Sequence, residues 1–373
     1  MKRLLVRVGW LLFVLLAFGA IVVLGRWWLA KSRVEEVAAQ VHLSRPTALK
    51  GAPTPPQPKS SNGLSAADVA PMYVHAITQY RERSTSDLAA LPPFGQPLTD
   101  VGAQNLKLLA DAGNARAACV LAAKVSKCTF WPEMGSKELS KREARLEQLR
   151  LQGETGEEMM RLELQIAGAK RTLARIAEQC SGYRPNPDEK AWKYLLQSAL
   201  QGFVPAMQQF HSMPMFDPSD IGDSVDAFVA YKAYAGPFIE ALAQSGNEFA
   251  LLMAHRGYAG MGAFGADLAV LRVLPKDAAR ALAYAYVREN LLRERSELFP
   301  GTPASTSGGG SPADAVALRE ADATPAQRQW ARQFADQLLA GLDSRVFAPP
   351  PASERANQEH ADRLDSIEKR CRE

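Results

Sequence analysis

The sequence contains one glycine pattern that could bind a dinucleotide. Gly260, Gly262 and Gly265 have the spacing Gly-x-Gly-x-x-Gly, in which glycines permit a tight turn and bring a pyrophosphate close to a helix N-terminus. That chemistry requires a β-strand before the pattern, whereas the preceding residues, FALLMAHRGYA, have the periodicity of a helix. We therefore interpret the glycines as a helix–helix turn and predict no cofactor.

Four cysteines, Cys119, Cys128, Cys180 and Cys371, could bind a metal ion or form disulfide bonds. Metal sites usually contain closely spaced cysteine pairs or nearby histidines, and this sequence has neither. We predict a Cys128–Cys180 disulfide, with Cys119–Cys180 as the alternative, in an oxidising compartment. Cys371 lies in a charged tail, where it could be free, pair with another chain or have no role.

No other combination of residues matches a known catalytic arrangement. The five histidines are scattered, and the sequence has neither a Gly-x-Ser-x-Gly motif nor a phosphate-binding loop. Adjacent carboxylates such as Glu157 and Glu158 occur in charged segments typical of solvated helix faces. We predict no catalytic and no metal-binding residues, and we interpret the protein as a non-enzyme.

Residues 8–25 (VGWLLFVLLAFGAIVVLG) contain no charge and are long enough to cross a bilayer as a helix. The run ends in Arg26, Trp27 and Trp28, a cation and aromatic pair typical of a membrane interface, rather than in the small residues of a cleaved signal peptide. A slight excess of positive charge before the run favours a cytoplasmic N-terminus. We expect residues 1–33 to be a single-pass anchor in the inner (cytoplasmic) membrane, with the bulk of the chain on the periplasmic side. A cleaved signal peptide is the alternative.

The net charge of +4 does not indicate a nucleic-acid partner. Six of the 44 basic residues flank the apolar run: Lys2, Arg3, Arg7, Arg26, Lys31 and Arg33. The other 38 basic residues are balanced by 40 acidic ones, so the rest of the chain lacks the basic surface that phosphate binding requires.

The remaining sequence is typical of a mainly α fold. Alanine and leucine are abundant, apolar residues recur every three or four positions, and alternating β-type runs are missing. Segments rich in Pro, Ser and Gly divide the chain. We predict a stub and Pro-rich linker (34–65), a helical-repeat-like domain (66–298), a Gly/Ser/Pro linker (299–312), a C-terminal helical segment (313–348) and a flexible charged tail (349–373).

Residues 137–180 form a charged insertion with a heptad-like apolar stripe. Its members are Leu139, Leu146 and Leu149 in the first half and Met159, Leu162, Ile166, Ala169, Leu173, Ile176 and Cys180 in the second. Because Gly153 and Gly156 provide a turn between the halves, we predict an antiparallel helical hairpin that projects from the domain. A helix pair packed flat on the domain is the alternative.

A small-residue pattern, Ala-x-x-Gly-x-x-x-Ala, occurs three times, around Gly113, Gly202 and Gly246. In each copy the glycine would end one helix in a left-handed conformation, and the alanines would let the next helix approach closely. The pattern therefore predicts three helix–turn–helix units.

The third copy continues with a tyrosine–glycine turn and a Lys-Asp helix start. The residues are Tyr258, Gly260, Gly262, Lys276, Asp277 and Ala281. They resemble the repeat of the Sel-one-like family, a relative of the tetratricopeptide repeat, although residues 263–271 widen the turn and the resemblance covers only about a third of the chain. It implies a solenoid of stacked helix pairs that presents a binding surface to other proteins.

The aromatic residues of the domain could pack in the core or line a groove that binds a partner. Five of them are candidates for a partner groove: Trp131, Trp192, Tyr194, Tyr231 and Tyr234. We predict a membrane-anchored scaffold or adaptor with an unidentified protein partner. The alternative is an enzyme or small-ligand-binding domain, which buried ionisable groups around a cleft would favour.

Overall fold

The protein is mainly helical. The structure, a computed structural model, describes residues 66–83, 88, 90–153, 156–186, 188–212, 215–216, 221–260, 272–298, 312–342 and 360–372. The helices are α1 (Ala66–Arg83), α2 (Asp100–Asp111), α3 (Ala115–Cys128), α4 (Phe130–Leu151), α5 (Glu157–Gln179), α6 (Ala191–Leu200), α7 (Val204–Ser212), α8 (Val225–Gln244), α9 (Glu248–Tyr258), α10 (Ala278–Leu298), α11 (Pro312–Asp322), α12 (Pro325–Ala340) and α13 (His360–Arg370). A short 3-10 helix, Ile221–Ser224, precedes α8. In this part of the chain the β-type pairing is an isolated bridge between Thr99 and Gly182.

The helices pack largely in chain order. Three helical hairpins, α2–α3, α6–α7 and α8–α9, follow one another so that α3 packs on α6, α7 on α8 and α9 on α10. Helices α11 and α12, which occupy the predicted C-terminal segment, pack on α10. Helix α12 begins at a capping box, in which Thr324 and Gln327 each accept a hydrogen bond from the backbone of the other.

Each hairpin of this stack turns at a glycine of the repeated pattern. Gly113, Gly202 and Gly246 have φ values of 95°, 87° and 83°, in the left-handed region that suits glycine. In each turn the glycine N–H donates to the carbonyl three residues earlier, and the following N–H donates to the carbonyl five residues earlier. The alanines of the pattern are fully buried: Ala110, Ala117, Ala199, Ala206, Ala243 and Ala250. Their small size lets the paired helices come close together.

Helix α1 packs on α8 and on the second of these turns. A Cβ atom on Gly202 would lie 2.2 Å from a carbonyl oxygen of α1, so the two backbones are in direct contact. The next residue, Phe203, has its ring 5.2 Å from that of Tyr80 in α1. The other two turns have Asn114 and Asn247 at this position, where the side chain caps the following helix. The second turn therefore differs from the others where α1 docks.

The charged insertion is a helical hairpin formed by α4 and α5, and it begins at Phe130 rather than at residue 137. Besides each other, the two helices make their main contacts with α3. The arms are antiparallel, and Lys170 Nζ lies 2.8 Å from Glu143 Oε1 across them. At the base, Cys128 and Cys180 form a disulfide bond, the pairing favoured by the sequence.

The prediction of a flexible tail over residues 349–373 is wrong for residues 360–372. Helix α13 packs on α3, and Cys371 forms a disulfide bond with Cys119. Acidic residues that gave this segment the composition of a solvated tail are instead paired with cations of α3. Apart from the buried Ile367 and Cys371, the contact is therefore polar, and for that reason it leaves little hydrophobic signal in the sequence.

Several predicted segments lie outside the described residues. They include the anchor, the stub and Pro-rich linker, most of the linker at 299–312, and Gly262. In the part of the chain that the structure does describe, no helix has both the length and the apolar character needed to cross a membrane.

Replacing Gly202 by alanine should destabilise the protein more than replacing Gly113. Both glycines are left-handed, so each substitution costs about 1–2 kcal/mol in backbone strain. A Cβ at Gly113 would meet no atom within 4 Å, whereas one at Gly202 would collide with α1. We expect Gly202→Ala to lose about 1–3 kcal/mol more free energy of unfolding in urea titrations. Equal losses for the two variants would contradict the docking of α1 on this turn.

Candidate functional site

The five aromatic residues predicted to line a partner groove lie on three different helices. Trp131 is on α4, Trp192 and Tyr194 are on α6, and Tyr231 and Tyr234 are on α8. Tyr194 and Tyr231 are buried, while the other three are half-buried. Among the described residues, no ring contact joins either tryptophan to one of these tyrosines. Tyr194 and Tyr231 are therefore core residues and do not line an open groove.

A buried carboxylate, Glu240 of α8, is the centre of a polar cluster in the core. Its side chain is 0% exposed and accepts hydrogen bonds from the hydroxyls of Tyr258 and Tyr284. The Arg280 guanidinium lies 3.7 Å from one carboxylate oxygen, and Gln244 Nε2 lies 3.5 Å from the other. Because Tyr258 is on α9 and Tyr284 on α10, one buried charge connects three consecutive helices.

The Glu240 cluster is closed on itself. The rings of Tyr258 and Tyr284 stack with centroids 6.1 Å apart, and the Arg280 guanidinium lies 5.6 Å from the Tyr258 centroid. Burial, and then the adjacent carboxylate, raise the pKa of both tyrosines well above the usual value. The hydroxyls therefore keep their protons and donate to Glu240, whose two oxygens both have donors. This cluster ties helices together and directs no reactive group towards a substrate.

A second polar cluster fixes α13 to α3. Lys124 Nζ lies 3.1 Å from Glu368 Oε2, and Lys127 Nζ lies 2.5 Å from Asp365 Oδ1. Arg116 donates a hydrogen bond to a backbone carbonyl just after α13. Burial lowers the pKa of Lys124, and the carboxylate of Glu368 opposes that shift. The C-terminal helix thus supplies the acceptors that these cations need.

A small recess lies beside this contact. Its wall includes residues 95–98, Lys124, Lys127 and the Cys128–Cys180 disulfide. The ammonium group of Lys124 also donates to the Gln96 carbonyl at 2.6 Å. Both lysines are therefore already bound to acceptors of the protein, and the recess offers no arrangement for acid–base or nucleophilic catalysis.

The hairpin carries three strongly exposed apolar side chains. Leu151 at its tip is 80% exposed, and Met160 and Leu164 on α5 are 60% and 68% exposed. The packing between α4 and α5 uses other residues, among them the buried Leu146 and Ile166. Exposed apolar side chains grouped on one element are typical of a surface that contacts another protein. The hairpin is therefore the candidate interaction site.

His211 is a fully buried histidine that the sequence did not distinguish from the other four. Its ring stacks on that of Phe249, with centroids 5.7 Å apart, and neither ring nitrogen has a hydrogen-bond partner among the described residues. Burial lowers its pKa to about 3. The ring is therefore neutral in the folded protein near pH 7, and nothing in the local sequence signals this state.

Comparisons with known proteins do not identify a relative. No protein-family model matches the chain, and neither the curated proteins nor the solved structures include a match. The resemblance to the Sel-one-like family therefore stays a prediction. Within the part of the chain that the structure describes, no three His, Cys, Asp or Glu side chains are grouped so that they could hold a metal ion.

Removing the Glu240 carboxylate should strongly destabilise the stack. Glu240→Ala leaves two buried hydroxyls without their acceptor and leaves the Arg280 guanidinium with Asp277 alone, so we expect a loss of about 3–5 kcal/mol in the free energy of unfolding. Tyr284→Phe removes one donor only and should cost about 1–2 kcal/mol. Both losses are measured by denaturant titration. Similar small losses for both variants would show that the carboxylate does not hold α8, α9 and α10 together.

His211 should make the fold sensitive to acid. Its pKa of about 3 in the folded state lies below the unfolded value near 6.5, so its contribution to stability is complete above pH 6.5 and is lost as the pH falls towards 3. The loss is about 1.4 kcal/mol per pH unit within that range. Denaturant titrations at pH 7.5 and pH 4.5 should show a smaller difference in stability for His211→Phe than for the native chain.

The exposed His75 provides the control for this measurement. His75→Asn should leave the difference between the two pH values as it is in the native chain. If His211→Phe also leaves it unchanged, the ring is not held neutral by burial.

Proposed function

We propose that the protein is a membrane-anchored scaffold or adaptor of the cell envelope, in which a helical-repeat body presents the α4–α5 hairpin to a protein partner in the periplasm. The observation that carries this proposal is the way the hairpin is mounted. Apart from the packing between its own two helices, the hairpin makes its main contacts with α3. The Cys128–Cys180 disulfide closes its base, and Leu151 is exposed at its tip.

The hairpin is built as a stiff element, which favours binding. Arg150 of α4 lies 3.0 Å from Glu163 of α5 in an ion pair that links the two arms. Gly135 leaves space for Leu173, because a Cβ at this position would lie only 3.0 Å from the leucine Cδ2. A surface that is already ordered loses less conformational entropy when a partner binds. A clamped hairpin is therefore well suited to hold the exposed Leu151 ready for a partner.

The cysteines support an exported location. All four are paired in two disulfide bonds, which persist in oxidising compartments and are rare in the cytosol. The apolar run at residues 8–25 is long enough to hold such a body at the inner membrane, and its flanking charges favour a cytoplasmic N-terminus. These features together favour a body on the periplasmic side.

An enzymatic or ligand-binding role receives less support. It requires ionisable groups around an opening, and Glu240, the most buried carboxylate among the described residues, is instead enclosed by two tyrosines and Arg280. Lys124, the buried amine next to the recess, is bound by Glu368 and by a backbone carbonyl. Both groups therefore stabilise contacts within the protein.

Photocrosslinking in native membranes tests the scaffold role. A photoreactive amino acid at position 151 of the full-length chain should give a crosslink to a defined envelope protein. The same probe at position 108, where Leu108 of α2 is 62% exposed, is the matched control. Identical products from both positions would count against the hairpin as the binding element.

The oxidation state of the cysteines in the same membranes tests whether the body lies in the periplasm. Thiols alkylated before reduction should include none of the four cysteines, because an exported body forms both disulfides. Alkylation of reduced Cys128 and Cys180 in freshly prepared cells would place the body in a reducing compartment and contradict the proposed periplasmic location.

A further inference from the structure

A stripe along the outer face of α5 has no role in the folding of the hairpin. Met160, Leu164 and Gly168 follow one another at intervals of four residues, on the side of the helix away from the buried Ile166 and Ile176. Met160 and Leu164 are both apolar, yet most of each side chain is exposed to solvent. The stripe is therefore available to another molecule.

Gly168 is the unusual member of the stripe. It lies in the middle of a 23-residue helix, where glycine is less favourable than any residue except proline. A Cβ at this position would meet no atom within 4 Å, so no neighbour among the described residues needs the space. A gap of this kind beside exposed apolar side chains suits close packing by a helix from a second molecule.

We propose that α5 is a self-association surface, on which the α5 helices of two copies pack antiparallel about a two-fold axis. Leu164 of each copy then packs over Gly168 of the other, because these two positions are symmetric about residue 166. The two hairpins together form a single row of four helices in the order α4, α5, α5, α4, with the same residues contributed by both copies.

The charges at the two ends of the stripe match this arrangement, whereas the same axis sets Arg161 of one copy level with Arg171 of the other. Arg175 follows Glu157 by 18 positions, which is five turns at about 3.6 residues per turn, so both lie on nearly the same line of the helix as Leu164. Both side chains are exposed. The two-fold axis that sets Leu164 against Gly168 also sets Glu157 of one copy against Arg175 of the other. Parallel pairing would instead set like charges together.

The contact is small, so the dimer is weak. A helix face of this length extends over about 27 Å, and interfaces of such limited area are typical of weak, transient association. Attachment of both copies to one membrane, as the proposed function implies, would raise their effective concentration. The self-association itself does not depend on that function.

Charge reversal in the full-length protein tests the pairing. In detergent solution, sedimentation velocity over a range of concentrations should detect a dimer of the native chain. Glu157→Arg and Arg175→Glu should each weaken dimerisation by about tenfold, because each places like charges together twice in the dimer. The double variant restores opposite charges and should return the dissociation constant to within about threefold of the native value.

Three further variants separate association from folding. Leu164→Asp should abolish the dimer, while Leu108→Asp, at a similarly exposed position on α2, should leave it intact. Gly168→Ala adds a Cβ that meets no described atom within 4 Å, so it should weaken the dimer while raising the melting temperature of the monomer.

Three results would overturn the proposal. They are a native chain that stays monomeric at all concentrations, a double charge reversal that does not restore the dimer, and equal effects of Leu164→Asp and Leu108→Asp. A photocrosslink from position 164 to a different protein, without a crosslink between copies, would assign the stripe to another occupant. The scaffold role fails separately, since it is tested by crosslinking from position 151.

Discussion

The burial of α3 on nearly every side is the constraint on which the rest of the structure depends. Twelve of its residues are buried, and it packs against α2, α4, α5, α6 and α13. Its alanines let these neighbours come close, but its buried cations, Arg116 and Lys124, cannot be left without acceptors. The C-terminal helix supplies those acceptors, and both disulfides have one cysteine on α3. The hairpin and the C-terminal helix are thus fixed to one common support.

The features that could be predicted from the sequence are those in which the decisive residues are close together along the chain. The turns at Gly113, Gly202 and Gly246 depend on backbone conformation and on alanines within four residues of each glycine. The arms of the hairpin carry their own apolar stripe, so their pairing, and with it the Cys128–Cys180 bond, could be inferred from that segment. The mainly helical fold follows from the same short-range periodicity.

Other features could not be predicted, because they depend on partners far apart in the chain. Cys371 lies 252 residues from Cys119, and the charged composition of its segment indicates solvent rather than a docking surface. Glu240 is one of many glutamates until folding brings Tyr258 and Tyr284 to its oxygens. The groove prediction had a related weakness, since an aromatic side chain has the same appearance in a sequence whether it is buried, as Tyr231 is, or exposed.

The arrangement of the two crosslinks also affects how the molecule would respond to a protease. The Cys119–Cys371 bond joins cysteines 252 positions apart, and the Cys128–Cys180 bond lies inside the loop that it closes. A single cleavage anywhere between Cys119 and Cys371 therefore leaves both fragments covalently joined, and cleavage at the hairpin tip leaves both arms attached at their base. A nicked molecule would keep its composition and migrate as one species until its disulfides were reduced.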